Sequence, residues 1–176
     1  PDFQTIRRSA IRLYKCATSA FYPFSFKLYA IPPLRPFLHA AILHLEKGTI
    51  YSNTIREVYK KYYNITIGRY SYGGGLDRKT LPNGTKIGNY CTIGTHLKIY
   101  RANHPIDRLS QHPLFYNKIC GILKETTIPD ITANPLTVGH DAWIGRDVVI
   151  LPGCKQIGNG AIVGSGSIVT KDVEDF

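Results

Sequence analysis

Aliphatic residues return every six positions over much of this chain. One series reads Ile67-Gly68, Ile87-Gly88, Ile93-Gly94 and Ile99; a second reads Val138-Gly139, Ile144-Gly145, Ile150, then Ile157-Gly158, Val163-Gly164 and Val169. A small residue or valine often stands four places later, at Ser71, Cys91, Ala142, Val148, Ala161 and Ser167. A period of six fits neither the turn of an α-helix nor the alternation of a half-buried strand. It is the period of a hexapeptide β-helix, in which each hexad supplies one short strand and one turn and three hexads make a triangular coil. The aliphatic residue then points inward and stacks on its equivalents above and below. The glycine after it is expected to take turn geometry that a side chain hinders.

Three stretches break the beat. Ile150 and Ile157 are seven apart, which reads as a one-residue bulge at a corner, with Gln156 as the extra residue. Between Ile67 and Ile87 lies SYGGGLDRKTLPNG, a turn-rich insertion that leaves the coil and returns. The largest break begins with YRANHPIDRLSQHPLFYNK, residues 100–118, and lasts to residue 136. A long irregular loop inside a compact domain is usually functional, and this one is rich in His, Asn, Asp and Arg.

Upstream of the repeat the chain changes character. Residues 3–19 place Phe3, Ile6, Ala10, Leu13 and Tyr14 at helical spacing, with Arg7, Arg8, Arg12 and Lys15 on the polar side. Two readings stand: a basic helix lying on an anionic membrane surface, or a helix packed on its own domain. Residues 20–37 are aromatic and broken by proline, so they read as irregular. FLHAAILHLE, residues 37–46, reads as a short helix. Thr54 to Glu57, TIRE, matches a capping box opening a helix to about Lys61. The expected division is a basic, helical N-terminal arm, 1–61, and a solenoid domain, 62–176, carrying loop 100–136.

The formal net charge is +10. Residues 1–61 hold ten Lys/Arg against three Asp/Glu, and the rest twelve against nine. That balance favours anionic partners such as phosphate cofactors or lipid head groups. No nucleic-acid-binding signature accompanies it, so nucleic acid is set aside as a partner. Cys16, Cys91, Cys120 and Cys154 form no C-x-x-C pair and no zinc spacing, which fits reduced thiols in a cytosolic protein. No apolar run reaches the roughly 18 residues that span a membrane, and no signal-peptide pattern opens the sequence. The expected location is the cytoplasm, with peripheral contact at the inner face of the cell membrane.

Residues 62–173, and AWIGRDVVILPGCKQIGNGAIVGSGSIVTKDV above all, resemble the left-handed β-helix, hexapeptide-repeat acyltransferases. KKYYNITIGRYSYGG and ANHPIDRLSQHP resemble the xenobiotic and glycan O-acetyltransferase branch of that superfamily. The resemblance implies a left-handed coil, acetyl-CoA as donor, a homotrimer, and active sites between neighbouring subunits. It also implies that loop 100–136 reaches the adjacent subunit and sets its histidine beside the thiol end of the pantetheine.

Acetyl transfer from a thioester to a hydroxyl requires removal of the hydroxyl proton as the oxygen attacks, and imidazole suits that task near neutral pH. His104, in Asn-His-Pro context, matches the family's catalytic histidine. Asn103, Asp107 and His112 are candidates on the acceptor side. Asp107 either orients His104 or caps a turn as a solvated carboxylate. By their places in the matching motifs, Arg146, Ser165, Thr170 and Lys171 correspond to cofactor contacts, each with a plain alternative as a turn residue or surface charge. Trp143 is either a pantetheine wall or an exposed corner aromatic. His96 and His140 read as solvent-facing or turn residues. No metal is expected: a site built from His96, His104 and His112 fits the Asn-His-Pro surroundings less well.

The leading expectation is therefore an O-acetyltransferase acting on a sugar or surface-polysaccharide precursor. The alternatives are an antibiotic acetyltransferase of the streptogramin or chloramphenicol type, transfer to an amino-sugar nitrogen, and a catalytically silent trimeric solenoid.

Overall fold

The hexads fold as their period requires. The computed structural model describes residues 26–128 and 135–176. Its strands are two residues long: β1 (Thr66–Ile67), β2 (Lys86–Ile87), β3 (Thr92–Ile93), β4 (Lys98–Ile99), β5 (Thr137–Val138), β6 (Trp143–Ile144), β7 (Val149–Ile150), β8 (Gln156–Ile157), β9 (Ile162–Val163) and β10 (Ile168–Val169). Every pairing is parallel and joins strands one coil apart, so three faces form: β1-β2-β5-β8, β3-β6-β9 and β4-β7-β10. The chain is a mainly β, left-handed parallel β-helix with helices at its N-terminal end and a long loop projecting from one corner.

The register stacks Ile67, Ile87, Val138 and Ile157 in one inward column. Ile93, Ile144 and Val163 form the second, and Ile99, Ile150 and Val169 the third. Ile144, Ile150 and Ile157 are completely buried. Each such side chain contributes about 1.5–3 kcal/mol. Cys91, Ala142, Val148 and Ala161 fill the corners of the core.

The glycines serve a different end from the one expected. Gly88 and Gly94 do not adopt positive φ. Instead, a Cβ on Gly88 would fall 2.4 Å from the carbonyl oxygen of Gly139, and one on Gly94 would fall 2.5 Å from that of Gly145. Successive coils approach too closely there for any side chain. The left-handed turn comes two places later, where Tyr70, Tyr90, His96, Asp141 and Asp147 have φ between 57° and 64°.

Side chains clip the first corner together. The backbone N–H groups of Arg69, Asn89, His140 and Asn159 donate to Asn89 Oδ1, His140 Nδ1, Asn159 Oδ1 and Asp175 Oδ1 at 2.8, 3.0, 2.8 and 2.7 Å. His140 is thus one rung of a structural ladder. The seven-residue step is also displaced from its expected place. Gln156 lies in β8 opposite Thr137, so the extra residue precedes it. Asp172 closes that corner by accepting the N–H groups of Lys155 and Gln156 at 2.6 and 2.9 Å. After Ile67 the chain follows the coil as far as a parallel bridge from Tyr72 to Thr92, leaves it, and returns at β2.

Two helices cover the N-terminal end, α1 (Arg35–Leu45) and α2 (Asn53–Tyr63). The cap of α2 is Ser52 rather than Thr54. Ser52 Oγ accepts the N–H of Ile55 at 3.1 Å and donates to Glu46 Oε2 at 2.5 Å, while the Thr54 hydroxyl is engaged by Glu46. Asn64, at φ 51°, ends the helix. Buried Arg56 ties α2 to the first coil by donating to the carbonyls of Gly68 at 2.9 Å and Ser71 at 3.3 Å. Arg35 lies 5.7 Å from the ring centre of Tyr62 and Lys61 4.6 Å from that of Phe26. Part of the N-terminal positive charge is therefore built into the fold. Residues 20–37, expected to be irregular, include a helical turn ending at Leu28 and a 3-10 turn, Pro32–Leu34. The basic face of residues 3–19, and Cys16, lie outside the described residues. Among the described residues no helix is long and apolar enough to cross a membrane.

Candidate active site

The loop departs after β4 and rejoins at β5, so it springs from the corner between the third face and the first. Tyr100 anchors its base by donating its N–H to the Ile150 carbonyl at 2.8 Å. Short polar links replace regular structure beyond that point. His112 Nδ1 accepts the N–H of Leu114 at 3.2 Å and opens a 3-10 turn, Pro113–Phe115. Asn117 Oδ1 accepts the N–H of Ile119 at 3.0 Å and opens a second, Lys118–Cys120. Among the described loop residues only Tyr116 and, where the chain rejoins the coil, Leu136 are buried.

His104 stands exposed on this loop with its Nδ1 2.8 Å from the carbonyl oxygen of Gln111. A carbonyl only accepts, so Nδ1 carries the proton and Nε2 presents a bare lone pair. The Tyr116 hydroxyl lies 3.0 Å from the same Nδ1, and the two rings meet edge-on at 6.1 Å. His104 lines an open depression with Asn103 and His112, and with Ile106, Leu109 and Ser110. Asp107 is not in that wall, and the partners of His104 are the Gln111 carbonyl and Tyr116 instead. Neither partner was legible in the sequence: a backbone carbonyl has no side-chain signature, and Tyr116 stands twelve positions away in an irregular segment.

The expected cofactor residues fall into separate groups. Trp143 lies within β6, on a flat face rather than at a corner, half-exposed between Thr92 and Ile162. Arg146 and Ser165 stack at the corner between the second and third faces, where Ser165 Oγ accepts the Arg146 N–H at 3.1 Å. The Arg146 guanidinium lies 3.3 Å from Asp147, whose other oxygen is 3.0 Å from His96 Nδ1. Thr170 and Lys171 sit after β10, at the corner from which the loop springs, and line a depression with Gly164, Ser167 and Ile168. One chain therefore gathers Arg146 with Ser165 and Thr170 with Lys171, with the third face between the pairs.

The glycines of the last coil leave open space. A Cβ on Gly166 would meet nothing within 4 Å, and one on Gly164 only Ser167 Oγ at 3.8 Å. Backbone is therefore uncovered at that corner, and Lys171 is exposed at the next one. Among the described residues no three His, Cys, Asp or Glu side chains converge on one point; His96 pairs with Asp147, apart from His104 and His112. The buried thiols are poorly placed for chemistry: burial holds Cys91 above the usual thiol range and pushes Cys154 up to about 11.

No protein-family model matches the chain. Individual relatives do. It is 32% identical over 147 residues to a chloramphenicol acetyltransferase of Klebsiella aerogenes, covering 74% of this chain and 67% of that protein. To a chloramphenicol acetyltransferase of Escherichia coli it is 34% identical over 130 residues, 64% of this chain and 61% of that one. To a probable macrolide acetyltransferase of Lysinibacillus sphaericus it is 36% identical over 96 residues, about half of each chain. Matches to the chloramphenicol enzymes thus span about two thirds of their length. With the hexad register, the triangular coil and the histidine-bearing loop in place, the chain belongs to the same hexapeptide-repeat acetyltransferase family.

Proposed function

We propose that this protein transfers an acetyl group from acetyl-CoA to a hydroxyl of a small, antibiotic-like acceptor, with His104 as general base. The observation that carries the reading is the Gln111 carbonyl 2.8 Å from His104 Nδ1, which leaves Nε2 free to take a proton. Acetyl-CoA supplies an acetyl group already activated as a thioester. His104 Nε2 accepts the acceptor's hydroxyl proton as the oxygen attacks the thioester carbonyl, while Nδ1–H stays hydrogen-bonded to the Gln111 carbonyl; the C–S bond then breaks, and the imidazolium returns the proton to the departing sulfur, which leaves as the coenzyme A thiol. Asn103 and His112 line the acceptor side, and Ile106 and Leu109 offer it apolar surface. Trp143, Arg146, Ser165, Thr170 and Lys171 hold the cofactor, Lys171 against a phosphate.

The antibiotic reading takes precedence over the polysaccharide reading expected from the sequence because the relatives carry chloramphenicol and macrolide names. The glycan reading rests on the basic segment 1–61. It loses weight because Arg35, Arg56 and Lys61 are engaged within the fold. On this account the xenobiotic branch, a cytoplasmic location and a catalytic domain over residues 62–176 go together, and peripheral contact with anionic membrane belongs to the glycan reading.

The functional unit we propose is a homotrimer whose loop 100–136 reaches a neighbouring copy. Two features support it: the cofactor residues do not share one cleft within a chain, and Ile106, Leu109, Ile119 and Ile122 are all strongly exposed on the loop. The test is coenzyme A thiol release with a panel of chloramphenicol, a streptogramin, a macrolide, simple glycosides and amino sugars. Turnover confined to the antibiotics supports the reading. Turnover confined to glycosides restores the glycan reading, and none with any acceptor leaves a silent solenoid.

A further inference from the structure

We propose that Arg108, Thr127 and Tyr116 form a strut that positions the His104 ring, an inference that rests on His104 being the base. The guanidinium of Arg108 grips one residue twice: Nη1 donates to Thr127 Oγ1 at 2.6 Å and Nη2 donates to the Thr127 carbonyl at 2.8 Å. The paired geometry fixes Thr127 in orientation as well as position. Thr127 in turn donates its N–H to the Tyr116 carbonyl at 2.9 Å, and Tyr116 donates its own N–H to the Pro113 carbonyl at 3.1 Å. Its ring is only 6% exposed, and its hydroxyl oxygen rests 3.0 Å from His104 Nδ1. A chain of contacts therefore crosses the loop from Arg108 to the imidazole.

The physical need for such a strut is plain from its surroundings. His104 is exposed on irregular backbone, where an imidazole is free to change rotamer. The Gln111 carbonyl and the Tyr116 hydroxyl oxygen share the Nδ1–H and together restrict rotation of the ring. Both oxygens also face the nitrogen when the ring becomes cationic. The strut itself moves no proton. Misplacement of a reacting group by about 1 Å costs on the order of a hundredfold in rate, so loosening the strut is expected to act on turnover rather than on binding. Tyr116, Thr127 and Arg108 are positioning residues in this account.

The experiment uses the full chain with Tyr116→Phe, Arg108→Ala and the conservative Thr127→Ser, each alone and combined with His104→Ala. Two readouts are taken: kcat and KM for the acceptor, and the imidazole 15N resonances of His104. Tyr116→Phe and Arg108→Ala are expected to lower kcat about tenfold to a hundredfold with acceptor KM nearly unchanged. Neither should cost anything further once His104 is alanine, and Thr127→Ser should behave as the parent. The parent should show one His104 species protonated at Nδ1, and the two strut variants a mixture. A loss carried by KM, or an equal loss in the His104→Ala background, would overturn the proposal. An unshifted 15N spectrum with unchanged kcat in both strut variants, beside a dead His104→Ala, would also overturn it while sparing the base assignment. Full turnover in His104→Ala beside a shifted spectrum would overturn the base assignment and keep the ring-positioning strut.

Discussion

Nδ1 of His104 sits 2.8 Å from the carbonyl oxygen of Gln111, seven residues along the same loop. His140 shows the opposite arrangement, its Nδ1 accepting the N–H of Asn89 at 3.0 Å. The two histidines are therefore held in opposite tautomers. His140 spends its lone pair on structure, whereas His104 keeps a lone pair at Nε2. That difference separates the candidate base from the rung of the ladder.

The thiols should differ sharply in reactivity. Cys120 is exposed, whereas Cys91 and Cys154 are buried, Cys154 with its thiol pushed up to about 11. At pH 8 the thiolate fraction of Cys154 is small and its access poor. Mass spectrometry after brief iodoacetamide treatment of the native protein should find Cys120 modified and the two buried thiols intact. Rapid labelling of Cys154 in folded protein would contradict the packing of that corner.

Two glycines should fail for different reasons. Gly88→Ala places a methyl 2.4 Å from the Gly139 carbonyl oxygen, which forces coils apart and should cost about 2 kcal/mol. Gly166→Ala meets no atom but adopts φ 74°, and should cost about 1 kcal/mol. Urea unfolding of both variants gives the order. A larger loss at Gly166 would mean that turn geometry, not the approach of coils, governs the repeat's glycines.

Acid should weaken the corner that Asp172 closes. The N–H groups of Lys155 and Gln156 donate to Asp172 and hold its carboxyl below the usual carboxylate range. A folded-state value depressed in this way adds stability above the ordinary value of about 3.9, and that stability is lost as pH falls through the folded value. Asp172→Asn keeps one acceptor oxygen but does not titrate. Stability of the parent should therefore fall more steeply below about pH 4 than that of the variant. Parallel acid profiles would contradict the role of Asp172.

Much of the architecture was legible because one number, the hexad period, dictates strand length, pairing and core at once. Ile144 and Ile150 needed only that period to be placed. The sequence was less informative wherever a contact belongs to the backbone. The close approach at Gly88 is set by a neighbouring coil, and the cap at Ser52 competes with Thr54 for a glutamate eight positions before that threonine. Asn103, Asp107 and His112 were singled out together with His104 because they share one short segment, and of these Asn103 and His112 line the same depression as His104 while Asp107 does not. The Gln111 carbonyl and Tyr116 were not, since their places depend on how an irregular loop folds back on itself.

The most direct test of the central claim compares coenzyme A release by the parent and by His104→Ala, with chloramphenicol as acceptor at saturating acetyl-CoA. The account predicts thiol release by the parent and a loss of roughly two to four orders of magnitude in the variant, with acetyl-CoA binding retained by calorimetry. Near-parental turnover by His104→Ala would contradict it.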